Sequence, residues 1–281
     1  MADKEKIHNK NDIEKGSIEE TMLGPLWARA VHSELYPNLL NDQKAIEIIK
    51  KIDYNFSEMD QILGEWRAIG LMIRARRFDE ALNKYLKEYP FSTVVNIGAG
   101  LDTTFFRVDN GNITMYNIDL PNAIKFREKL IKESERNRNI AQSVFDYDWM
   151  DTINYSEDKG IFFIAGGFIY YFNEEEISDF IKKLATRFPE GEIIFDAVSN
   201  LALKVANKRA KKVNSELRFN LAINDPYKSV PQWSNKIEIK DCFVIGDRTA
   251  INKNWKFKTK LMNKLSSWLK TARIIHLRFL K

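Results

Sequence analysis

The chain has 281 residues, of which 44% are apolar and 12% aromatic, with a formal net charge of +5 at pH 7. That length supports a substantial core in one main domain with appended helices, and a single cysteine, Cys242, excludes a disulfide framework or a thiolate zinc cluster within the chain. The opening "MADKEKIHNKNDIEKGSIEE" lacks the apolar core of a secretory signal and no 18-residue apolar run occurs, so a cytoplasmic protein without a membrane span is expected.

The first ninety residues read as helical. In "GEWRAIGLMIRARRFDEALNKYLKEYP" apolar positions recur three and four apart among charges until Pro90 stops the pattern. Short runs rich in β-branched and aromatic residues then predict strands at 93–97, 113–118, 142–145 (QSVF), 161–165 and 192–198. Helical segments separate them, and such alternation predicts a parallel sheet with right-handed crossovers. Pro121 suits the first turn of "LPNAIKFREKLIKESE", and Asn173 caps "NEEEISDFIKKLATRF" with Glu176 three residues on. A polar, lysine-rich connection at 199–236 leads to two more strand-like runs, 237–245 and 272–279.

The positive charge is local. From Arg248 to Lys281 there are ten Lys or Arg and no acid, against 34 bases and 39 acids before them. Within this block "NWKFKTKLMNKLSSWLK" interleaves apolar residues and lysines at roughly helical spacing, which predicts a packed amphipathic helix with a solvated basic face. Neither a nucleic-acid nor a membrane partner is expected from it.

The stretch "TVVNIGAGLDTTFFRVDNGNITMYNIDL" carries the clearest site. Gly98 and Gly100 follow the first strand, where backbone must approach a ligand closely, and Asp119 ends the second, where a carboxylate can accept both hydroxyl protons of an adenosine ribose. Those residues serve NAD, FAD or S-adenosylmethionine alike. A dinucleotide fingerprint needs a third glycine, but the run here is Gly100, Leu101, Asp102, Thr103. Asp102 would repel a pyrophosphate, and the loop suits a phosphate-free ligand with positive charge, such as S-adenosylmethionine.

"VVNIGAGLDTTFFR", "NIDLPNAIKFREKL" and "FFIAGGFIYYFNEEEISDFIKKLATRFPEGEIIFDAVS" together resemble the leucine carboxyl methyltransferase family, nearest its bacterial branch of polyketide-type O-methyltransferases. The likeness runs over about residues 70–200. It implies an α/β class I methyltransferase (Rossmann-like) fold: a seven-stranded, mostly parallel sheet with an antiparallel last strand, plus an N-terminal helical cap. It also implies one methyltransferase domain over 1–281, with the cap at 1–90, the cofactor-binding core at 91–200, and an acceptor-side insertion and C-terminal strands at 201–281. By the same resemblance Arg74, with Arg76 and Arg77 as competitors, meets the methionyl carboxylate of the cofactor. Gly98 and Gly100 form the cofactor loop, Asp119 holds the ribose, and Asp146, with Asp148 as its neighbour, lies near adenine. Gly166 stands where the family commonly has a glutamate. Tyr171 retains the family tyrosine and Tyr170 is extra; either hydroxyl could orient an acceptor, and either ring could simply pack.

Methyl transfer from a sulfonium needs alignment more than a metal or a covalent nucleophile. A hydroxyl or amine acceptor commonly needs a base, whereas a carboxylate is already ionised at neutral pH. The three histidines are scattered: His8 in a polar stretch, His276 in the last strand-like run, and His32 in "WARAVHSELYP", the one kept as a possible acceptor-side base. The resulting reading is an S-adenosylmethionine-dependent O-methyltransferase with no metal site, acting on a small-molecule carboxylate or hydroxyl. Alternatives are a protein C-terminal carboxyl methyltransferase, a non-catalytic S-adenosylmethionine-binding protein, and a NAD-dependent oxidoreductase.

Overall fold

Helices come first in the chain, as the apolar spacing predicts. The computed structural model describes residues 18–212 and 218–281, so His8 lies outside the described residues. Helices α1 (Ile18–Leu35), α2 (Gln43–Ile49) and α3 (Met59–Glu88) form the N-terminal layer. Asp42 caps α2 by accepting the Ala45 N–H at 2.9 Å. Helix α3 is bent at Gly64, whose φ of 63° no helical residue adopts, and its long arm runs from there to Glu88, ahead of Pro90.

From residue 93 the chain alternates as expected: β1 (Thr93–Ile97), α4 (Thr104–Val108), β2 (Thr114–Asp119), α5 (Pro121–Leu130), β3 (Asn137–Ala141), α6 (Trp149–Thr152), β4 (Ile161–Ala165), α7 (Glu174–Arg187), β5 (Glu192–Val198) and α8 (Asn200–Lys212). After α9 (Pro226–Ser229) come β6 (Ile237–Val244), α10 (Phe257–Trp268) and β7 (Ala272–Phe279). Among the described residues the sheet has seven strands in the order β3-β2-β1-β4-β5-β7-β6. Neighbours from β3 to β5 pair in parallel, and β7 inserts antiparallel between β5 and β6. The expected class I arrangement is therefore present.

One strand lies elsewhere than expected. The third strand is "NRNIA" at 137–141, not "QSVF" at 142–145. Residues 137–141 form the edge, where backbone pairing with β2 suffices and polar side chains are tolerated. The apolar character of 142–145 has another cause. Val144 is buried, and Phe145 packs edge-on against Phe172 and Phe180 with ring centroids 4.8 and 5.9 Å apart.

Alternate residues of the central strands feed two cores. Val95, Ile97, Phe163 and Phe195 face α7, whose Ile177, Phe180, Ile181 and Leu184 sit on one helical stripe. Val94, Met115, Phe162, Ile164 and Ile194 face the long arm of α3 through Phe78, Leu82 and Leu86. Burying each such side chain contributes roughly 1.5–3 kcal/mol. A separate cluster of Leu23, Leu26, Trp27, Ile46 and Ile48 joins α1 and α2 to Phe126 and Leu130 of α5, which anchors the N-terminal layer beside the carboxyl ends of the strands.

Candidate functional site

At a sheet whose strand order reverses about β1, a crevice opens beyond the carboxyl ends of the strands. Here it is a cavity of about 420 Å³, within the range of small-molecule sites. Its wall takes Asn96 of β1 with Gly98–Asp102 after it, Asp119 and Leu120 at the end of β2, Gln142–Phe145 after β3, and Gly166–Phe168 with Tyr170–Phe172 after β4. Helix α1 adds Thr21, Met22, Pro25 and Arg29; α3 adds Leu71, Arg74, Ala75 and Phe78. None of the described residues of 201–281 lies on that wall. Phe219 instead backs Tyr170 and Tyr171, at centroid distances of 5.4 and 5.2 Å.

The glycine loop is held by charge. Gly98 has φ of +62°, and a β-carbon there would come within 2.8 Å of the Phe168 ring, so both conformation and contact require glycine. The Gly100 N–H donates to Asp119 Oδ2 at 2.8 Å and the Leu120 N–H to Oδ1 at 2.8 Å. Burial outweighs those two bonds and raises the Asp119 pKa above the ordinary carboxylate value. Behind the loop, buried Arg127 of α5 donates to the carbonyls of Gly100 (2.9 Å) and Asp102 (2.8 Å), while Arg29 of α1 donates to that of Leu101 (2.9 Å). Three consecutive carbonyls of the loop thus rest on guanidinium groups.

Arg29 meets an acid in turn, shared with Arg107 of α4. Asp42 is fully buried and accepts from Arg29 Nε (2.9 Å), Arg107 Nη1 (2.8 Å) and Thr103 Oγ1 (2.5 Å). Arg107 also forks onto Asp79 at 2.7 and 2.9 Å. Asp102, on the cavity wall, is bonded by the Thr104 N–H at 2.8 Å. Burial opposes its ionisation, yet Arg107, Arg29 and the Thr104 bonds bring its pKa down to about 2. It is a fixed negative charge at the loop.

Across the cavity, Arg74 Nη1 donates to Asp196 Oδ2 at 3.1 Å, and the Gly167 N–H donates to Asp196 Oδ1 at 2.6 Å. The Tyr170 hydroxyl lies beside the same guanidinium, both close to Gly167. Burial, then the Asp196 charge, push the Tyr170 hydroxyl far above the usual phenol range, and burial also raises Tyr171. Gly167 has φ of +75°, and a β-carbon there would lie 2.9 Å from Arg74 Nη1. At Gly166 a β-carbon would meet the Phe78 ring at 2.9 Å, so Phe78 fills the space a glutamate would need.

The structure brings Arg74, Gly98, Gly100, Asp119, Tyr170 and Tyr171 onto one cavity. Arg76 instead pairs with Glu80 at 2.8 Å on the surface, and Arg77 with Glu80 and Thr249. Asp146 and Asp148 are exposed and off the wall, which ends at Phe145. His32 is also off it: buried between Trp27 and Tyr36, with its pKa lowered by burial against the pull of Glu65 and Asp60. His276 sits in β7 with Nε2 2.7 Å from Glu192. Sequence reasoning missed Arg29, Arg127, Asp42 and Asp196. A basic residue on an otherwise apolar helical face, as Arg127 is in "AIKFREKL", was the available signal.

The topology and the switch-point cavity define a class I methyltransferase. Residues 22–185, more than half the chain, match the leucine carboxyl methyltransferase family, and the chain belongs to it. The tetracenomycin polyketide synthesis O-methyltransferase TcmP of Streptomyces glaucescens is 30% identical over 210 residues, covering 74% of this chain and 76% of that one. The S-adenosyl-L-methionine-dependent methyltransferase dpfgK of Gibberella zeae is 24% identical over 240 residues, 76% of this chain and 80% of that one. Among solved structures, a DUF574 family protein from Streptomyces avermitilis superposes with a TM-score of 0.57 at 10% identity, covering 83% of this chain and 94% of its own. The plantazolicin methyltransferase BpumL does so with 0.50 at 13%, covering 94% and 100%, which likewise speaks to the fold. The protein is an S-adenosylmethionine-dependent methyltransferase. The residues present fit that cofactor, with a ribose-ready carboxylate at Asp119, a cationic group at Arg74, a fixed anion at Asp102 and no pyrophosphate cradle.

Proposed function

We propose that this methyltransferase acts on an oxygen of a small molecule, a carboxylate or a hydroxyl that reaches the site already ionised. One observation carries the reading: among the described cavity-lining side chains, none is suited to take a proton from an acceptor at neutral pH. Tyr170 and Tyr171 are held protonated, Asp102 with a pKa of about 2 is too weak a base, and His32 does not reach the wall. Asp119 has both oxygens bonded by the loop, at the ribose end. The likeness to an O-methyltransferase of polyketide synthesis supports a small acceptor, and the aromatic wall of Phe78, Phe168, Tyr170 and Tyr171 suits a planar one.

When bound, the cofactor supplies a methyl group on a positively charged sulfur, an electrophile that needs no further activation. In this reading Arg74, oriented by Asp196, receives the methionyl carboxylate. Asp119 accepts from the ribose hydroxyls, Asp102 faces the ammonium, and the Asp146 segment lies toward adenine. Tyr170 and Tyr171 donate to the acceptor and align it, and the N-terminal helices close over the site and exclude water.

The test is incubation with S-adenosylmethionine and a panel of aromatic and aliphatic acids, phenols and amines, followed by mass spectrometry of products. Methyl esters or phenol ethers are expected, with rates for phenols rising as their own acidity rises. Transfer to amines alone, or to the terminal carboxylate of a leucine peptide in preference to every small acid, would contradict the proposal.

A further inference from the structure

Helix α10 is inside out. Phe257, Leu261, Leu265 and Trp268 lie four, four and three residues apart, which places them on one stripe. That stripe faces solvent: Phe257 is 81% exposed, Trp268 77%, Leu261 54% and Leu265 41%. The polar residues face the body instead. Buried Thr259 donates to Glu65 of α3 at 2.5 Å, Glu65 also accepts the Lys256 N–H at 3.0 Å, and Asn263 and Ser267 crowd Gly246, where a β-carbon would lie within 3.1 and 2.5 Å of them. The packed amphipathic helix expected from the sequence is therefore a helix, but its apolar side is not the packed one.

Such a face needs an occupant. Lys256, Lys258, Lys264 and Lys270 are exposed around the stripe, and no acid occurs in the sequence from Arg248 to Lys281. A second copy docked about a two-fold axis would bring these lysine rows face to face. A planar anionic surface satisfies both features at once, because the stripe enters the acyl boundary while the lysine stems reach back to the headgroups. An aromatic residue at each end of the stripe suits that interface. No helix of the described residues is long and apolar enough to cross a membrane, so the contact is peripheral. We propose that α10 seats the protein on anionic lipid membranes, with Phe257 and Trp268 inserted and the flanking lysines on the phosphates.

The test is co-sedimentation of the full chain with vesicles of phosphatidylcholine alone and of phosphatidylcholine mixed with an equal part of phosphatidylglycerol. Partitioning into the anionic vesicles is expected to exceed that into neutral ones by about tenfold or more, and to fall by about tenfold in Phe257→Ser/Trp268→Ser. The double variant should keep its melting temperature and its affinity for S-adenosylmethionine, which separates a lost anchor from a lost fold. Lys258→Glu/Lys264→Glu should lose the preference for anionic lipid. Equal partitioning into both vesicles, no partitioning, or binding unchanged in Phe257→Ser/Trp268→Ser would overturn the proposal. So would a dimer that Phe257→Ser/Trp268→Ser dissolves without any effect of lipid, since a second copy would then cover the face.

Discussion

The glycine loop and helix α10 are both rich in charge, yet they use it in opposite ways. At the loop, guanidinium groups of Arg29, Arg107 and Arg127 are turned inward onto carbonyls and carboxylates, and nearly every bond is spoken for. On α10 the lysines stay in water and an apolar stripe stays with them. Buried charge fixes the geometry of a site because each group must be paired. Exposed charge beside exposed apolar surface leaves its partner to be found outside the fold. The contrast predicts how differently the two regions tolerate substitution.

The largest effect should come from Asp42→Ala. It leaves buried Arg29 without a carboxylate and Arg107 with Asp79 alone, and unfolding in urea should show a loss of about 3–5 kcal/mol. A loss under about 1 kcal/mol would mean that the arginine scaffold does not hold the loop. Next comes Arg74→Ala, expected to lower affinity for S-adenosylmethionine by about 1.5–3 kcal/mol, the value of hydrogen bonds to a charged group. Calorimetric titration reads it, and Arg76→Ala, on the surface of the same helix and paired with Glu80, should change affinity little.

A smaller effect concerns pH. His32 is buried and its folded pKa lies below the unfolded value near 6.5, so between the two the unfolded chain binds more protons. Its contribution to stability is full above about pH 6.5 and declines as pH falls through that window, by at most about 1.4 kcal/mol per pH unit. Urea unfolding of wild type and His32→Phe at several pH values should show a gap that narrows or reverses on acidification. A gap that widens would contradict the burial argument. Smallest of all, Phe257→Ser/Trp268→Ser should alter stability by no more than about 0.5 kcal/mol, as exposed residues do. A larger loss would show that the stripe packs within the fold.

The same contrast explains what could be read from the sequence. Strand runs such as IFFIA are buried on both faces and announce themselves, and the Asn173 cap with Glu176 appears as the pattern indicates. The polar edge strand at 137–141 carries no such signal, because backbone pairing and amide contacts such as Asn117 to Asn137 hold it in place of an apolar run, and the apolar character of 142–145 points to the neighbouring segment instead. In the candidate site, Gly98, Gly100 and Asp119 were legible because their spacing follows the strand and turn that position them. Asp196 and Asp42 were not. Each acts on a residue more than ten positions away, Arg74 at 122 and Arg29 at 13, so only the tertiary structure joins them. The orientation of α10 was hidden for a similar reason: helical spacing reveals a stripe but not which side of it meets the protein.

The most direct test of the account is isothermal titration of the full chain, freed of any ligand carried through purification, with S-adenosylmethionine, S-adenosylhomocysteine and NAD, in wild type and Asp119→Ala. Saturable binding of both sulfur compounds, none of NAD, and a loss of about 1–3 kcal/mol in the folded Asp119→Ala variant are expected. Unchanged affinity in that variant, or binding of NAD in place of the sulfur compounds, would contradict the assignment of the glycine loop and Asp119 to the adenosyl cofactor.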